Sequence, residues 1–191
     1  MIIKDGKSYA RVSDILKPFS NFSHIKPEVL ANKCRIGTAV HSAIEADLNA
    51  KFPALEKDTW PYFRSYLCWF EHLNPKVEQS EVRYYSDKYM LTGQIDTLIH
   101  FRDDEAATLV DFKTSASEGE TWPMQAHLYS LLLTENNIVH GKHFFFVKLN
   151  KFGQFPEVFT YKFDKNIAAK CLIAIENFWN SEKSDSNLFE D

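Results

Sequence analysis

The period of the hydrophobic pattern changes to two between residues 77 and 114, and this change constrains the fold more than any other feature of the chain. Apolar and polar residues alternate over Val77–Tyr85, Tyr89–Phe101 and Ala107–Thr114. Alternation over this length predicts strands with one face buried. Turn-forming segments at 86–88 and 102–106 separate the three runs, which indicates a meander of neighbouring strands.

Helical spacing of apolar residues precedes and follows this meander. We predict four helices, over Pro27–Ala50, Asp58–Leu73, Trp122–Glu135 and Lys165–Trp179. We also predict two strands, over His143–Leu149 and Glu157–Phe163. Near the start of the chain we expect a turn at Asp5-Gly6 and then a small helix capped by Ser13. The order predicts an α/β protein with an α+β arrangement of elements. We expect one domain over residues 1–180, with an N-terminal helical part, and a polar tail over 181–191.

Composition excludes few functions. The chain has 191 residues, 45% of them hydrophobic, and a net charge of −4. A nucleic-acid-binding enzyme needs only a local basic strip, so the acidic balance does not exclude one. Because no apolar run reaches the length of a membrane span, we expect a protein without a membrane partner, in the cytoplasm or, if phage-encoded, in the host cytoplasm. The oligomeric state is left open.

The cysteines exclude one class of cofactor. Cys34, Cys68 and Cys171 are widely spaced and form no CxxC pair. Three separate thiols cannot supply the four-cysteine set that an iron–sulfur cluster requires. We therefore expect no iron–sulfur cluster.

Two strands of the meander carry carboxylates inside apolar sequence. Strand alternation places Asp111 and Lys113 on one face, with Val110 and Phe112 on the other. An antiparallel pairing with the preceding strand can bring Asp96 close to Asp111. Neighbouring carboxylates repel unless a cation or a proton lies between them. Hard oxygen ligands favour Mg²⁺ or Mn²⁺.

The acid-x-lysine pattern alone is weak. It occurs twice in the chain, at Asp5-Gly6-Lys7 and at Asp111-Phe112-Lys113, and the first copy is a predicted turn. The alternative for the second copy is a solvated strand face with a surface ion pair. Its apolar neighbours favour burial instead, where an unpaired charge is costly.

Helical spacing adds further candidates. His41 and Glu45 lie four residues apart, so an imidazole ligand and a carboxylate that orients it can share one helix face. Gln125 and Tyr129 are one turn apart on the helix that follows Lys113. The alternatives are a surface His–Glu pair and an ordinary amphipathic helix. Glu81, on the strand before Asp96, either supports the ligands or is exposed.

Taken in order, these residues resemble the PD-(D/E)XK nuclease superfamily, and specifically its RecB-like exonuclease branch. The short phage, mitochondrial and CRISPR-associated members of that branch are the most similar in size and layout. The matching pieces are Gly37-x-x-x-His41, Gly93-Gln94-Ile95-Asp96, Asp111-Phe112-Lys113 and Gln125-x-x-x-Tyr129. They span residues 37 to 129. The resemblance implies a restriction-endonuclease-like fold, in which helices flank a mixed sheet.

The resemblance also implies roles for these residues. His41, Asp96 and Asp111 would be metal ligands together with the backbone carbonyl of Phe112, and the metal would be Mg²⁺ or Mn²⁺. Lys113 would position or deprotonate the attacking water. Gln125 and Tyr129 would support that site. Glu45 and Glu81 remain candidates for positions behind the ligands.

The implied function is a metal-dependent DNA nuclease, an exonuclease that acts on single-stranded DNA or on a free end in DNA processing, repair or recombination. A catalytically inactive nucleic-acid-binding or regulatory module on the same fold is the alternative. A structural protein with chance motifs is a third reading, and it predicts affinity for neither metal nor DNA.

Overall fold

A mixed seven-stranded sheet with helices on both faces forms the protein, in a computed structural model that describes residues 1–21, 23, 25–101 and 104–187. The strands are β1 (Ile2–Lys4), β2 (Lys7–Arg11), β3 (Lys76–Ser86), β4 (Leu91–His100), β5 (Ala107–Lys113), β6 (His140–Lys148) and β7 (Glu157–Lys162). The helices are α1 (Val12–Leu16), α2 (Pro27–Leu48), α3 (Trp60–Leu73), α4 (Trp122–Glu135) and α5 (Lys165–Asn187), with a short 3-10 turn at Lys17–Phe19. Within these ranges no helix has the length and apolar character to cross a membrane.

The sheet is mixed because two of its strand pairs are parallel. The order is β1-β2-β4-β5-β6-β7, with β3 paired to β4. Strands β2 and β4 run parallel, as do β5 and β6, and the other pairs are antiparallel. The expected fold class, a mixed sheet flanked by helices, is confirmed.

The predicted meander and the helix after it are confirmed, whereas the two ends of the chain differ from prediction. A hairpin, β1–β2, precedes α1 around the turn at Asp5-Gly6, and our prediction of an N-terminal helical part missed both strands. Helix α5 continues to Asn187, into the segment predicted as a tail. Residues 188–191 of that tail, and residues 102 and 103 of the predicted turn at 102–106, lie outside the described residues.

The two faces of the sheet carry separate cores. One cluster packs α1, α4 and α5 against the sheet through side chains such as Ile95, Leu128 and Phe146. The other packs α2 and α3 against the opposite face through Val40, Tyr66 and their neighbours. Because helices cover both faces, most residues of β4 and β5 are buried, polar ones included, whereas the alternating sequence predicted strands with only one buried face.

Strand β4 is the centre of the sheet and has three partners. Strand β3 pairs with it from Leu91 to His100, along one complete edge. On the other edge β2 pairs only at residues 91 and 92, and β5 only at residues 97–99. Residues 93–96 therefore make no backbone pairs on that edge. This gap in the pairing leaves room for the side chain of Asp96 to contact neighbouring groups.

Gly93 opens this interval, and it is tightly enclosed by side chains. A Cβ atom at this position would lie 2.9 Å from Leu132 Cδ1, 2.9 Å from Tyr129 Cε1 and 3.0 Å from Val12 Cγ2. All three neighbours are buried. Only glycine lets β4 approach α4 and α1 so closely.

We expect Gly93→Ala to destabilise the fold by roughly 1–3 kcal/mol, because the added methyl overpacks a buried contact. The measurement is the free energy of unfolding in urea. Gly141→Ala is the matched control, since its Cβ would meet nothing closer than Ala107 O at 3.8 Å. Equal stability of the Gly93→Ala protein and the control would contradict this account of the packing.

Candidate functional site

Three side chains from α2, β3 and β4 form a compact group of metal-binding type. One ligand atom each from His41, Glu81 and Asp96 lies within 4.8 Å of the other two. His41 Nδ1 is 3.3 Å from Asp96 Oδ2 and 3.6 Å from Glu81 Oε1. These three residues are called the donor group below.

The secondary structure explains how the donor group assembles. Val40 and Ile44 are buried on one side of α2, and this orientation holds the neighbouring His41 against β3 and β4. Glu81 lies between the Ser80–Thr97 and Val82–Ile95 pairs, which places it across from Asp96. Its backbone has a φ of 54°, in the left-handed region that non-glycine residues rarely adopt.

Burial and charge act against each other within the donor group. Burial alone would lower the pKa of His41, but the carboxylates of Asp96 and Glu81 raise it well above its usual range. Burial alone would raise the pKa of Asp96, but His41, Lys113 and the amide of Phe112 lower it below its usual value. The group therefore holds an anionic Asp96 beside a cationic imidazole, and a divalent cation would replace that proton.

A second group lies around Lys113, on the α4 side of the sheet. Lys113 Nζ is 2.6 Å from Asp111 Oδ1 and donates to Gln125 Oε1 at 3.0 Å. Gln125 Nε2 donates to Asp111 Oδ1 at 2.8 Å and to the hydroxyl oxygen of Tyr129 at 3.1 Å. We call these four residues the lysine group. Gln125 contacts each of the other three, so it fixes their arrangement.

Burial shifts the pKa values of two members of the lysine group in the direction that favours their neutral forms. It raises the pKa of Asp111 to about 7, with a further contribution from Asp96 and opposition from Lys113 and His41. Burial, followed by the charges of Asp111 and Asp96, raises the pKa of Tyr129 well above 10. Tyr129 therefore remains a neutral hydroxyl that can donate a hydrogen bond.

The two groups meet where β4 and β5 stop pairing. The ladder ends at Thr97–Val110, and its register places Asp96 opposite Asp111. Beyond that point Asp96 Oδ2 accepts a hydrogen bond of 2.8 Å from the amide of Phe112. The predicted antiparallel approach of the two aspartates is confirmed, as is the alternation that puts Asp111 and Lys113 together.

The candidate residues thus fall into the two groups, except for Phe112 and Glu45. His41 and Asp96 join Glu81, which we had placed behind the ligands or on the surface, whereas Asp111 contacts Lys113 and Gln125 instead. Phe112 lies between the groups, with its side chain in the α2–α3 core. Glu45 is exposed on α2 and lies outside the donor group.

Sequence reasoning assigned no role to Gln94, which supports Glu81. Gln94 Nε2 donates to Glu81 Oε2 at 2.6 Å, and Arg83 Nη2 donates to Gln94 Oε1 at 2.7 Å. Arg83 and Gln94 are paired across β3 and β4. The register of this pair was the missing information, because alternation alone does not say which residues of two strands face each other.

A cavity of about 580 Å³ opens next to the lysine group. Lys113, Gln125 and Tyr129 line one side of it, and Ser13 and Lys17 line another. Polar groups converging on one cavity are typical of a ligand site. A negatively charged ligand here would meet two ammonium groups and several hydroxyls.

The donor group fits a divalent cation by its chemistry. It offers one imidazole nitrogen and two carboxylate oxygens within 4.8 Å of one another, and a divalent cation could take the place of the imidazolium proton between them. Its two carboxylates favour hard cations such as Mg²⁺ or Mn²⁺.

Comparisons with known proteins agree with this architecture. The family model of the PD-(D/E)XK nuclease superfamily matches residues 20–169. Among solved structures, the alkaline exonuclease LHK-Exo from Laribacter hongkongensis is similar with a TM-score of 0.55 and 8% identity, over 95% of this chain and 91% of that one. Its complex with dAMP gives a TM-score of 0.56 and 9% identity over the same shares. The protein SSO0001 gives 0.52 and 15% identity, over 96% of this chain and 80% of that one. No curated protein matches the sequence significantly.

We expect Mn²⁺ to stabilise the protein through the donor group. At a concentration 100 times the dissociation constant, a native-state ligand adds about 2.7 kcal/mol, which raises Tm by roughly 5–10 °C for a chain of this size. Asp96→Asn should remove most of this rise, because it deletes a charge but keeps an oxygen that accepts from the Phe112 amide. Thermal unfolding with Mn²⁺ and with EDTA measures the effect.

Glu71→Gln is the control for this experiment, since it deletes an exposed carboxylate on α3. It should show the full rise in Tm. An equal rise in the Asp96→Asn protein would locate the bound metal elsewhere.

Proposed function

Because the chain belongs to the PD-(D/E)XK nuclease superfamily, we propose that it is a metal-dependent deoxyribonuclease of the RecB-like branch. We further propose that it is an exonuclease, which hydrolyses phosphodiester bonds from a single-stranded end in DNA processing, repair or recombination. Mg²⁺ or Mn²⁺ is its cofactor in this proposal.

One observation carries the proposal: the lysine group adjoins the donor group. Asp96 belongs to the donor group and accepts from the amide of Phe112, and Phe112 lies between Asp111 and Lys113 in β5. A phosphate placed between the groups would have a cation on one side and an ammonium on the other. Phosphodiester hydrolysis needs both kinds of charge, because negative charge increases in the transition state.

His41, Glu81 and Asp96 would hold the cation, and Asp111 with the backbone carbonyl of Phe112 would complete its ligand set. When bound, such a cation makes a water easier to deprotonate and offsets charge on the phosphate. Glu45, which is exposed and lies outside the donor group, would act only through water.

The lysine group would orient the attacking water and the phosphate. Lys113 donates to Asp111 and Gln125, so its ammonium is held in one place before substrate arrives. The water oxygen would attack phosphorus in line with the leaving oxygen, and the bond between phosphorus and that oxygen would break. The proton that the water gives up would be balanced by the one that the leaving oxygen takes up from solvent. Lys113 would offset the charge on the phosphate oxygens. Tyr129, held by Gln125, would donate its hydroxyl hydrogen to the scissile strand.

The terminal nucleotide has a candidate location. The cavity of about 580 Å³ beside Lys113, Gln125 and Tyr129 is large enough for a nucleotide, and Ser13 and Lys17 offer a hydroxyl and a charge to its phosphate. LHK-Exo, which has a similar fold, has been solved with dAMP bound. This likeness supports an exonuclease that releases nucleotides.

We expect purified protein to degrade end-labelled DNA in Mg²⁺ or Mn²⁺ and to be inactive in EDTA. Lys113→Ala should lower the rate by about 10²–10³, the usual effect of removing a donor that stabilises negative charge in the transition state. Asp111→Asn should cause a loss of similar size. Substrates labelled at either end, single-stranded or double-stranded, report polarity and strand preference in the same gel.

Lys170→Ala is the matched control, because Lys170 is an exposed lysine on α5. It should cleave at the wild-type rate. The proposal fails if wild-type protein, Lys113→Ala and Asp111→Asn are indistinguishable under every metal condition. DNA binding without cleavage would favour the inactive nucleic-acid-binding module.

A further inference from the structure

A second cavity, of about 440 Å³, lies at the carboxyl ends of β5 and β6, and the residues of the two groups do not line it. Helix α2 contributes Lys33 to its wall, and α3 contributes Tyr62. Ser115 follows β5, and Lys151 and Phe152 belong to the hairpin between β6 and β7. We call this cavity the hairpin groove.

The hairpin groove is basic although the chain as a whole is acidic. Its lining includes Lys33, Lys148 and Lys151 and, among the described residues, no aspartate or glutamate. Lys148 Nζ is 2.6 Å from Glu157 Oε2, so this charge is already partly balanced. Lys33 and Lys151 therefore give the groove its positive potential, which favours a polyanion.

Phe152 differs from the other residues that line the groove, because its aromatic ring is exposed while hydrogen bonds hold the loop that carries it. Its side chain is 71% exposed. The Phe152 amide donates to Asn150 Oδ1 at 2.8 Å, and the Asn150 amide donates to Ser65 Oγ of α3 at 2.9 Å. Gly153 turns the chain with a φ of 73°. Lys151 Nζ lies 5.0 Å from the centre of the ring.

One backbone hydrogen bond connects the hairpin that borders the groove to a member of the lysine group. The amide of Leu149 donates to the carbonyl oxygen of Lys113 at 2.8 Å, so the hairpin is attached to the last residue of β5. Helix α2 connects the groove to the donor group, since Lys33 precedes His41 by about 12 Å along the helix axis.

We propose that the hairpin groove binds the single strand next to the scissile phosphate, with one base stacked on Phe152 and the backbone phosphates near Lys33 and Lys151. The inference rests on the proposed function and adds the path of the strand to it. A flat aromatic ring beside lysines suits unpaired bases, because any base can stack on it. Bases in a duplex are stacked on their neighbours and offer no free face.

Binding is measured by fluorescence anisotropy with a labelled oligothymidylate in EDTA, where cleavage does not occur. Phe152→Ala should weaken binding by about 5-fold to 100-fold, the range for loss of one base–aromatic stack. Phe152→Tyr, which keeps the ring, should bind like the wild type. Lys33→Ala and Lys151→Ala should each reduce the slope of log K against log salt concentration by about 0.7.

The controls use residues of the same types outside the groove. Phe52 is a fully exposed phenylalanine and Lys142 an exposed lysine, and neither lines the groove. Their alanine variants should bind the oligonucleotide like the wild type. Polyglutamate at the same concentration of charge should not displace the DNA; displacement would show a general anion surface and overturn the proposal.

The outcomes separate the groove from the proposed function. Wild-type protein that binds through Phe152 but never cleaves supports the groove and contradicts the nuclease. Metal-dependent cleavage together with wild-type binding by Phe152→Ala overturns the groove and leaves the nuclease intact. Failure of the wild-type protein to bind single-stranded DNA overturns the groove as well.

Discussion

The hydrogen bond from the Phe112 amide to the Asp96 carboxylate determines the geometry of the site. At this point a side-chain oxygen takes the place of a backbone carbonyl as acceptor, because the β4–β5 ladder has ended at Thr97–Val110. The amide remains satisfied while Asp96 is held in a fixed orientation. The strand pair thus holds a carboxylate in the interior, where an unpaired charge would be too costly to keep.

The two faces of the sheet supply different parts of the site. Helix α2 brings His41 to Asp96 and Glu81, and α4 brings Gln125 and Tyr129 to Lys113. Each helix is anchored by its own core cluster. The relative position of the two groups therefore depends on how closely the helices pack against the centre of the sheet. Gly93 of β4 contacts α4 there, and a side chain at this position would push the helix away.

Sequence periodicity predicted the parts of the fold that depend on local pattern. It placed the central strands, it gave the limits of α4 as Trp122 and Glu135, and it paired Asp111 with Lys113 on one face of β5. It missed β1 and β2, which are too short for a periodic signal, and it ended α5 early because residues 181–187 are polar. It did not place Glu81 in the donor group, because that depends on strand register and on a left-handed residue that no pattern indicates.

The left-handed backbone at Glu81 puts stability and chemistry in opposition at a single position. Glycine adopts this conformation without the cost of about 1 kcal/mol or more that a side chain incurs. Replacement by glycine would relax β3, yet it would also remove a carboxylate from beside His41 and Asp96. Selection for thermal stability alone would therefore favour glycine at residue 81, and a library screened in this way would be expected to lose one carboxylate of the donor group while its fold improves.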